Sequence, residues 1–166
     1  STLIYTVFQN AGKSSNTGAE FILQQDFSPA FSLNANATVY RNIIDAFTVE
    51  NKYPVPSVYS ANRQTFTSGN VKLNGLFHFV KQTDLQLTAI YQAPDIFPQG
   101  KIGTRFSVDM GLKKVIQKGK GDLLLNASDL FNTLRIERET VGNGFTLKSI
   151  DYYETQVFRI GYSYKF

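Results

Sequence analysis

One histidine, His78, and no cysteine leave the chain with little catalytic equipment. A hydrolase or acyltransferase would want the imidazole beside a Ser and an Asp, and sequence spacing pairs none of the many candidates with His78. A lone imidazole on a polar strand face reads as a wet histidine, and no enzymatic activity is expected. Metal ligation would rest on carboxylates alone, and no suitable cluster is visible, so neither metal nor cofactor is expected. Lys118-Gly-Lys-Gly121 lacks the Gly-x4-Gly-Lys-Ser/Thr frame of a phosphate loop and reads as a short basic turn. The net charge is +4, but the basic residues are scattered, whereas a nucleic-acid groove needs a clustered stripe. What remains is recognition. Phe47, Tyr53 and Tyr59, in a segment carrying Pro54 and Pro56, are of the types that anchor ligands. So are Arg135, Arg138, Tyr152 and Tyr153, and the arginines could also meet phosphates.

These residues hang between strands. Alternation with period 2 recurs along nearly the whole chain. Phe31, Leu33, Ala35, Ala37 and Val39 share one face, against Ser32, Asn34, Asn36 and Thr38. Val71, Leu73, Gly75, Phe77 and Phe79 oppose Asn70, Lys72, Asn74 and His78, with Leu76 the exception. Leu85, Leu87, Ala89 and Tyr91 then oppose Gln86, Thr88 and Gln92, and Phe106, Val108, Met110 and Leu112 oppose Arg105, Ser107, Asp109 and Lys113. Leu123, Leu125 and Ala127 oppose Asp122, Asn126 and Ser128; near the front, Ala19, Phe21, Leu23 and Phe27 oppose Glu20, Gln24 and Asp26. With a first segment from Leu3 to Gln9, these make about eight strands and no helix. No run of about 18 apolar residues offers a transmembrane helix, but a barrel strand crosses a membrane with only 9–11 residues.

The last strand alternates without a fault. Phe158, Ile160, Tyr162, Tyr164 and Phe166 lie on one face, Val157, Arg159, Gly161, Ser163 and Lys165 on the other. It resembles the closing strand of bacterial outer-membrane β-barrels, whose C-terminal signal is matched by Arg159, Gly161, Tyr164 and Phe166. The resemblance implies that the barrel-assembly machinery reads this segment. Connections sort by parity: Ala11–Asn16, Ile44–Tyr59, Ala93–Gly103 and Leu134–Tyr153 alternate with the shorter Ser28–Ala30, Val80–Thr83 and Gln117–Gly121. Outer-membrane barrels have short periplasmic turns and long extracellular loops. On that pattern both chain ends are periplasmic, 11–16, 45–59, 93–103 and 134–153 are extracellular loops, and Phe27, Phe31, Phe79 and Phe166 form an aromatic girdle.

Energetics assigns the faces. Backbone groups in hydrocarbon must all be paired, so strands cross only as a closed barrel. The Phe, Leu, Val and Tyr faces would aggregate in water, and the Asn, Ser, Thr and Gln faces suit a wet lumen. Glu20, Asp26, Asp109 and Asp122 are available to pair with Lys72, Arg105, Lys113 and Arg159 across that lumen.

Tyr91-Gln-Ala-Pro94, Pro98-Gln-Gly100, Asp109-Met-Gly-Leu-Lys-Lys114, Asp129-Leu-Phe-Asn132 and Tyr162-Ser-Tyr-Lys-Phe166 follow in an order that resembles the C-terminal barrel region of TonB-dependent receptor-like proteins. Gly18-Ala-Glu20, opening a strand, extends the likeness forward. The resemblance implies an antiparallel, up-and-down transmembrane β-barrel in the bacterial outer membrane. Residues 1–166 would be one region of about eight strands, the C-terminal part of a larger barrel whose other strands and plug belong to the parent chain. Its implied role is ligand uptake across the outer membrane, with lipid, lipopolysaccharide and the assembly machinery as partners. A self-standing small barrel with a structural or adhesive role is the alternative. A soluble lipocalin-like barrel would need its apolar faces inward. Siderophore, vitamin, glycan and peptide ligands are all compatible with these residues.

Overall fold

The computed structural model describes residues 9–10, 12–52, 55–80 and 82–166. Its strands are β1 (Ser14–Ser28), β2 (Phe31–Ile44), β3 (Phe47–Asn51), β4 (Ser57–Ala61), β5 (Gln64–Phe79), β6 (Thr83–Gln92), β7 (Asp95–Phe97), β8 (Gly100–Ile102), β9 (Arg105–Ile116), β10 (Gly121–Ser128), β11 (Arg135–Gly142), β12 (Phe145–Tyr152) and β13 (Val157–Tyr164). The antiparallel, all-β expectation holds. The expected count of about eight does not, because thirteen stand among the described residues. The segments 45–59, 93–103 and 134–153 are not plain connections: each carries a hairpin, β3–β4, β7–β8 and β11–β12. At the front, Ser14 to Asn16 already belong to β1, while Ala11 and the segment from Leu3 to Phe8 lie outside the described residues.

Seven strands form the main sheet, in the order β1-β2-β5-β6-β9-β10-β13. It is a meander once the three hairpins are set aside. Register carries the alternation across strands, broken only by a shift between Asp26 and Ser28 where β1 meets β2. Leu23, Ala35, Leu73, Ala89 and Val108 form one row, and Phe77, Leu85, Leu112, Leu125 and Ile160 another. A slip of one residue anywhere would mix the two faces. The apolar face is therefore a property of the whole sheet, and it is bare: Phe21 is 64 % and Ile160 75 % exposed.

At the short-turn end this face carries a run of rings. Phe27 stacks on Phe31 at 5.4 Å, Phe31 on Phe77 at 4.7 Å, and Phe77 on Phe79 at 6.4 Å. Tyr164 meets Phe166 edge to face at 5.4 Å. Turns at this end are tight: Gln117 and Lys118 have φ of 54° and 55° beside Gly119 at 95°. Among the described residues β1 and β13 each pair on one side only, so the sheet is an open arc rather than the closed barrel expected.

At the other end the hairpins build a second layer. β7, β8, β11 and β12 make a four-stranded antiparallel sheet in which β8 pairs with β11 through Arg138–Ile102, Glu139–Lys101 and Thr140–Gly100. β3 and β4 pair with each other. The small core lies here, formed by buried Ile44, Phe47 and Ile96, with Val49, Tyr59, Ala61 and Phe66 packed against it.

Candidate functional site

The polar face of the main sheet is rich in neutral amides and hydroxyls that bond across strands. Asn74 Oδ1 accepts from Gln86 Nε2 at 2.8 Å and from Thr88 Oγ1 at 2.9 Å, and Asn36 donates to Glu20. Of the anticipated charge pairs one forms: Lys113 Nζ lies 3.7 Å from Asp122. Glu20, Asp26, Asp109, Lys72, Arg105 and Arg159 make no ion pair among the described residues. The Nε of Arg105, opposite Gln92, is buried and has no hydrogen-bond partner among the described residues.

His78 does have an acidic neighbour. Register sets it opposite Asp84, and its Nδ1 lies 2.8 Å from Asp84 Oδ1. Spacing along the chain hid this pair, because the partners meet through the β5–β6 turn. His78 also lines an open depression of about 430 Å³ with Asp26, Ser28, Pro29 and Ser32. No serine there hydrogen-bonds the imidazole among the described residues, so the pair is an ion-pair or hydrogen-bond clasp between strands.

A second constellation sits where β7 lies on the polar face of β2 and β5. Asp95, which opens β7, accepts a hydrogen bond from Tyr40 Oη at 2.7 Å on one oxygen. Its other oxygen accepts from Asn42 Nδ2 at 3.0 Å and from the Ile96 backbone at 2.7 Å. Asn42 also donates to the Ile96 carbonyl at 3.1 Å. Ile96 thereby inserts into the core beside Ile44 and Phe47. The hairpin β7–β8 is pinned over the polar face.

The third constellation is a buried carboxylate. Asp129, 2 % exposed, follows β10 with φ of 45° and accepts from the Thr133 and Leu134 backbones at 2.9 and 3.1 Å and from Thr155 Oγ1 at 2.6 Å. Its own backbone donates to Asp109 Oδ1 at 2.8 Å. Burial pushes its pKa up, but the Thr155, Thr133 and Leu134 hydrogen bonds together outweigh burial and hold the carboxyl below the ordinary aspartate range. One side chain thus gathers both ends of the excursion that carries β11 and β12.

The residues expected to contact ligand separate into two groups. Phe47 is 9 % exposed and belongs to the core, with the Tyr59 ring 6.0 Å away. Tyr53 lies outside the described residues. Arg135, Arg138, Tyr152 and Tyr153 are exposed on or beside β11–β12. Arg135 pairs in register with Tyr152, whose Oη donates to Asn132 Oδ1 at 2.6 Å. Arg138 lies 3.9 Å from Asp151. At the other end, Arg159 and Gly161 lie on the polar face of β13, and Tyr164 and Phe166 continue its apolar face. Asp95 and Asp129 drew no attention in the sequence as site residues. Only the turn residues around them, Pro94 and Pro98 for one and Asn132 for the other, mark tight folding there.

A family model described as outer membrane protein beta-barrel family matches residues 1–164. Comparison with curated proteins and with solved structures found no match.

Proposed function

The chain belongs to the outer membrane protein beta-barrel family, and on that premise we propose that its main sheet is an arc of the wall of a larger barrel, the C-terminal part of a TonB-dependent receptor-like protein. Its location is the bacterial outer membrane. The role that follows is uptake: hairpins at one rim capture a ligand, and the polar face lines the passage that opens when a plug is displaced.

The observation that carries this reading is the seven-strand apolar face with both edges unpaired among the described residues. Lipid is the solvent that suits such a face, and neighbouring strands are the partners that suit such edges. Strands of 14–16 residues in β1, β2 and β5 exceed the 9–11 that a crossing needs. They leave room for a rim beyond the bilayer, where the three hairpins stand. On this reading the short turns are periplasmic, the hairpin rim is extracellular, Arg135, Arg138, Tyr152 and Tyr153 are the accessible ligand contacts, and lipopolysaccharide surrounds the rim. The terminal strand, with Arg159, Gly161, Tyr164 and Phe166, is the segment offered to the assembly machinery.

The test is native size. Membrane fractions from the source cell are blotted, heated and unheated, with an antibody against residues 134–153. A heat-modifiable outer-membrane band several times larger than 18.6 kDa supports the receptor reading. A band at 18.6 kDa favours a self-standing small barrel and removes the uptake role.

A further inference from the structure

The apolar face carries charge at two paired positions, Arg41 towards the hairpin rim and Lys114 near the short turns. Lys114 stands between Leu112 and Ile116 on β9, with Thr83 opposite on one side and Leu123 on the other. The same cross-strand row ends in Phe79 and Tyr162. The carboxylates at this end, Asp26, Asp84 and Asp122, occupy the other face, where His78 engages Asp84 and Lys113 engages Asp122. Among the described residues no carboxylate shares the apolar side of this end with Lys114.

The neighbouring turn adds positive charge. Lys118 and Lys120 flank Gly119, and the Lys165 backbone donates to the Lys120 carbonyl at 2.8 Å, which fastens the turn to the end of β13. Tyr162 Oη donates to Gln117 Oε1 at 2.7 Å, tying this turn to the apolar face of β13. Lys114, Lys118 and Lys120 are all exposed, and none has an ion-pair partner among the described residues. A lysine on a lipid-facing wall lays its stem along apolar surface and lifts its ammonium to the headgroups.

We propose that Lys114, Lys118 and Lys120 form a headgroup site for an anionic phospholipid, one whose phosphodiester charge no amine of its own offsets. The inference rests on the reading of the sheet as a membrane wall with its short turns in the periplasmic leaflet. Lys114 meets the phosphate from the acyl-chain side, and the turn lysines meet it from the aqueous side. The aromatic ends of the row, Phe79 and Tyr162, bound the place where the chains lie.

The experiment uses the full-length protein extracted in mild detergent and titrated in native mass spectrometry with phosphatidylglycerol, phosphatidylethanolamine and lipid A. Wild type is compared with Lys114→Gln, with Lys114→Gln/Lys118→Gln/Lys120→Gln, and with the rim control Lys101→Gln/Lys148→Gln. Each is first checked for a heat-modifiable outer-membrane band. The expected result is a preference of wild type for phosphatidylglycerol that falls by about fivefold for each lysine removed and is untouched in the control. Equal binding of the two phospholipids by wild type, or a preference unchanged in the triple variant, overturns the site while leaving the wall reading standing. A triple variant that loses lipid A binding instead also overturns it, since the short turns would then face the outer leaflet. Absence of the heat-modifiable band in wild type overturns the wall reading, and the site with it.

Discussion

Asp129 shows how one side chain organises a rim. Burying a carboxylate is costly unless hydrogen bonds replace its water, and here two backbone donors and the hydroxyls of Thr155 and Thr133 do so. Asp129→Ala leaves the Thr133 and Leu134 donors without that acceptor, at a cost of roughly 2–4 kcal/mol. The expected outcome is a lower temperature for conversion of the heat-modifiable band and faster proteolysis within residues 133–155. A native pKa below the unfolded one means that the carboxylate stabilises the fold fully above about pH 4. That contribution fades as pH falls through the depressed native value, and Asp129→Ala should lack this part of the acid sensitivity in a pH series of conversion temperatures. The sequence shows Asp129 only as the first letter of Asp-Leu-Phe-Asn. Its partner Thr155 is 26 residues away, and no local signal announces such a bond.

At the scale of elements, legibility followed periodicity. Six strands of the main sheet, β2, β5, β6, β9, β10 and β13, could be read because a half-lipid, half-water wall demands alternation, which single residues such as Leu76 and Leu124 interrupt without hiding it; β1 was read only in part, because the polar Ser14 to Asn16 look like a loop. The rim hairpins could not be read the same way, because no single solvent faces them. β11 runs Arg-Ile-Glu-Arg-Glu-Thr-Val-Gly, a charged strand stabilised by cross-strand pairs such as Glu139–Lys148 at 3.3 Å. Asn143-Gly144, between Gly142 and Phe145, was nonetheless a hairpin signal, and Gly144 takes φ of 78°. The β7–β8 hairpin depends on Asp95 rather than on pattern. Asp95→Ala removes the acceptor for Tyr40, Asn42 and the Ile96 backbone, so residues 95–102 should open more often. Hydrogen exchange should rise there by roughly tenfold or more and stay unchanged in β10; equal change in both would mean that Asp95 supports the whole sheet instead.

Across the whole molecule the two faces answer to different solvents, and paired substitutions separate them. Leu87 sits mid-face between Gly75 and Met110, whereas Ser107 lies on the polar face opposite Ile90. On a membrane wall, Leu87→Lys should cost about 2–4 kcal/mol and lower the yield of heat-modifiable protein refolded into vesicles. Ser107→Lys should be nearly neutral. The reverse order would turn the wall inside out. The sequence made this inversion legible through composition on each face; that β1 and β13 pair on one side only among the described residues became visible only when the pairing was known.

The Asp129 clasp has a consequence for how such proteins diversify. The excursion leaves β10 at Asp129 and returns to β13 just after Thr155, so its two stems are fastened at one point. Between the stems the excursion is held by the three pairs that join β11 to β8, by the Gly103–Glu137 and Val141–Gln99 backbone bonds and by Thr133 on the Phe106 carbonyl. The β11–β12 turn at Asn143-Gly144 is therefore the part that changes in length without moving a register in the sheet below.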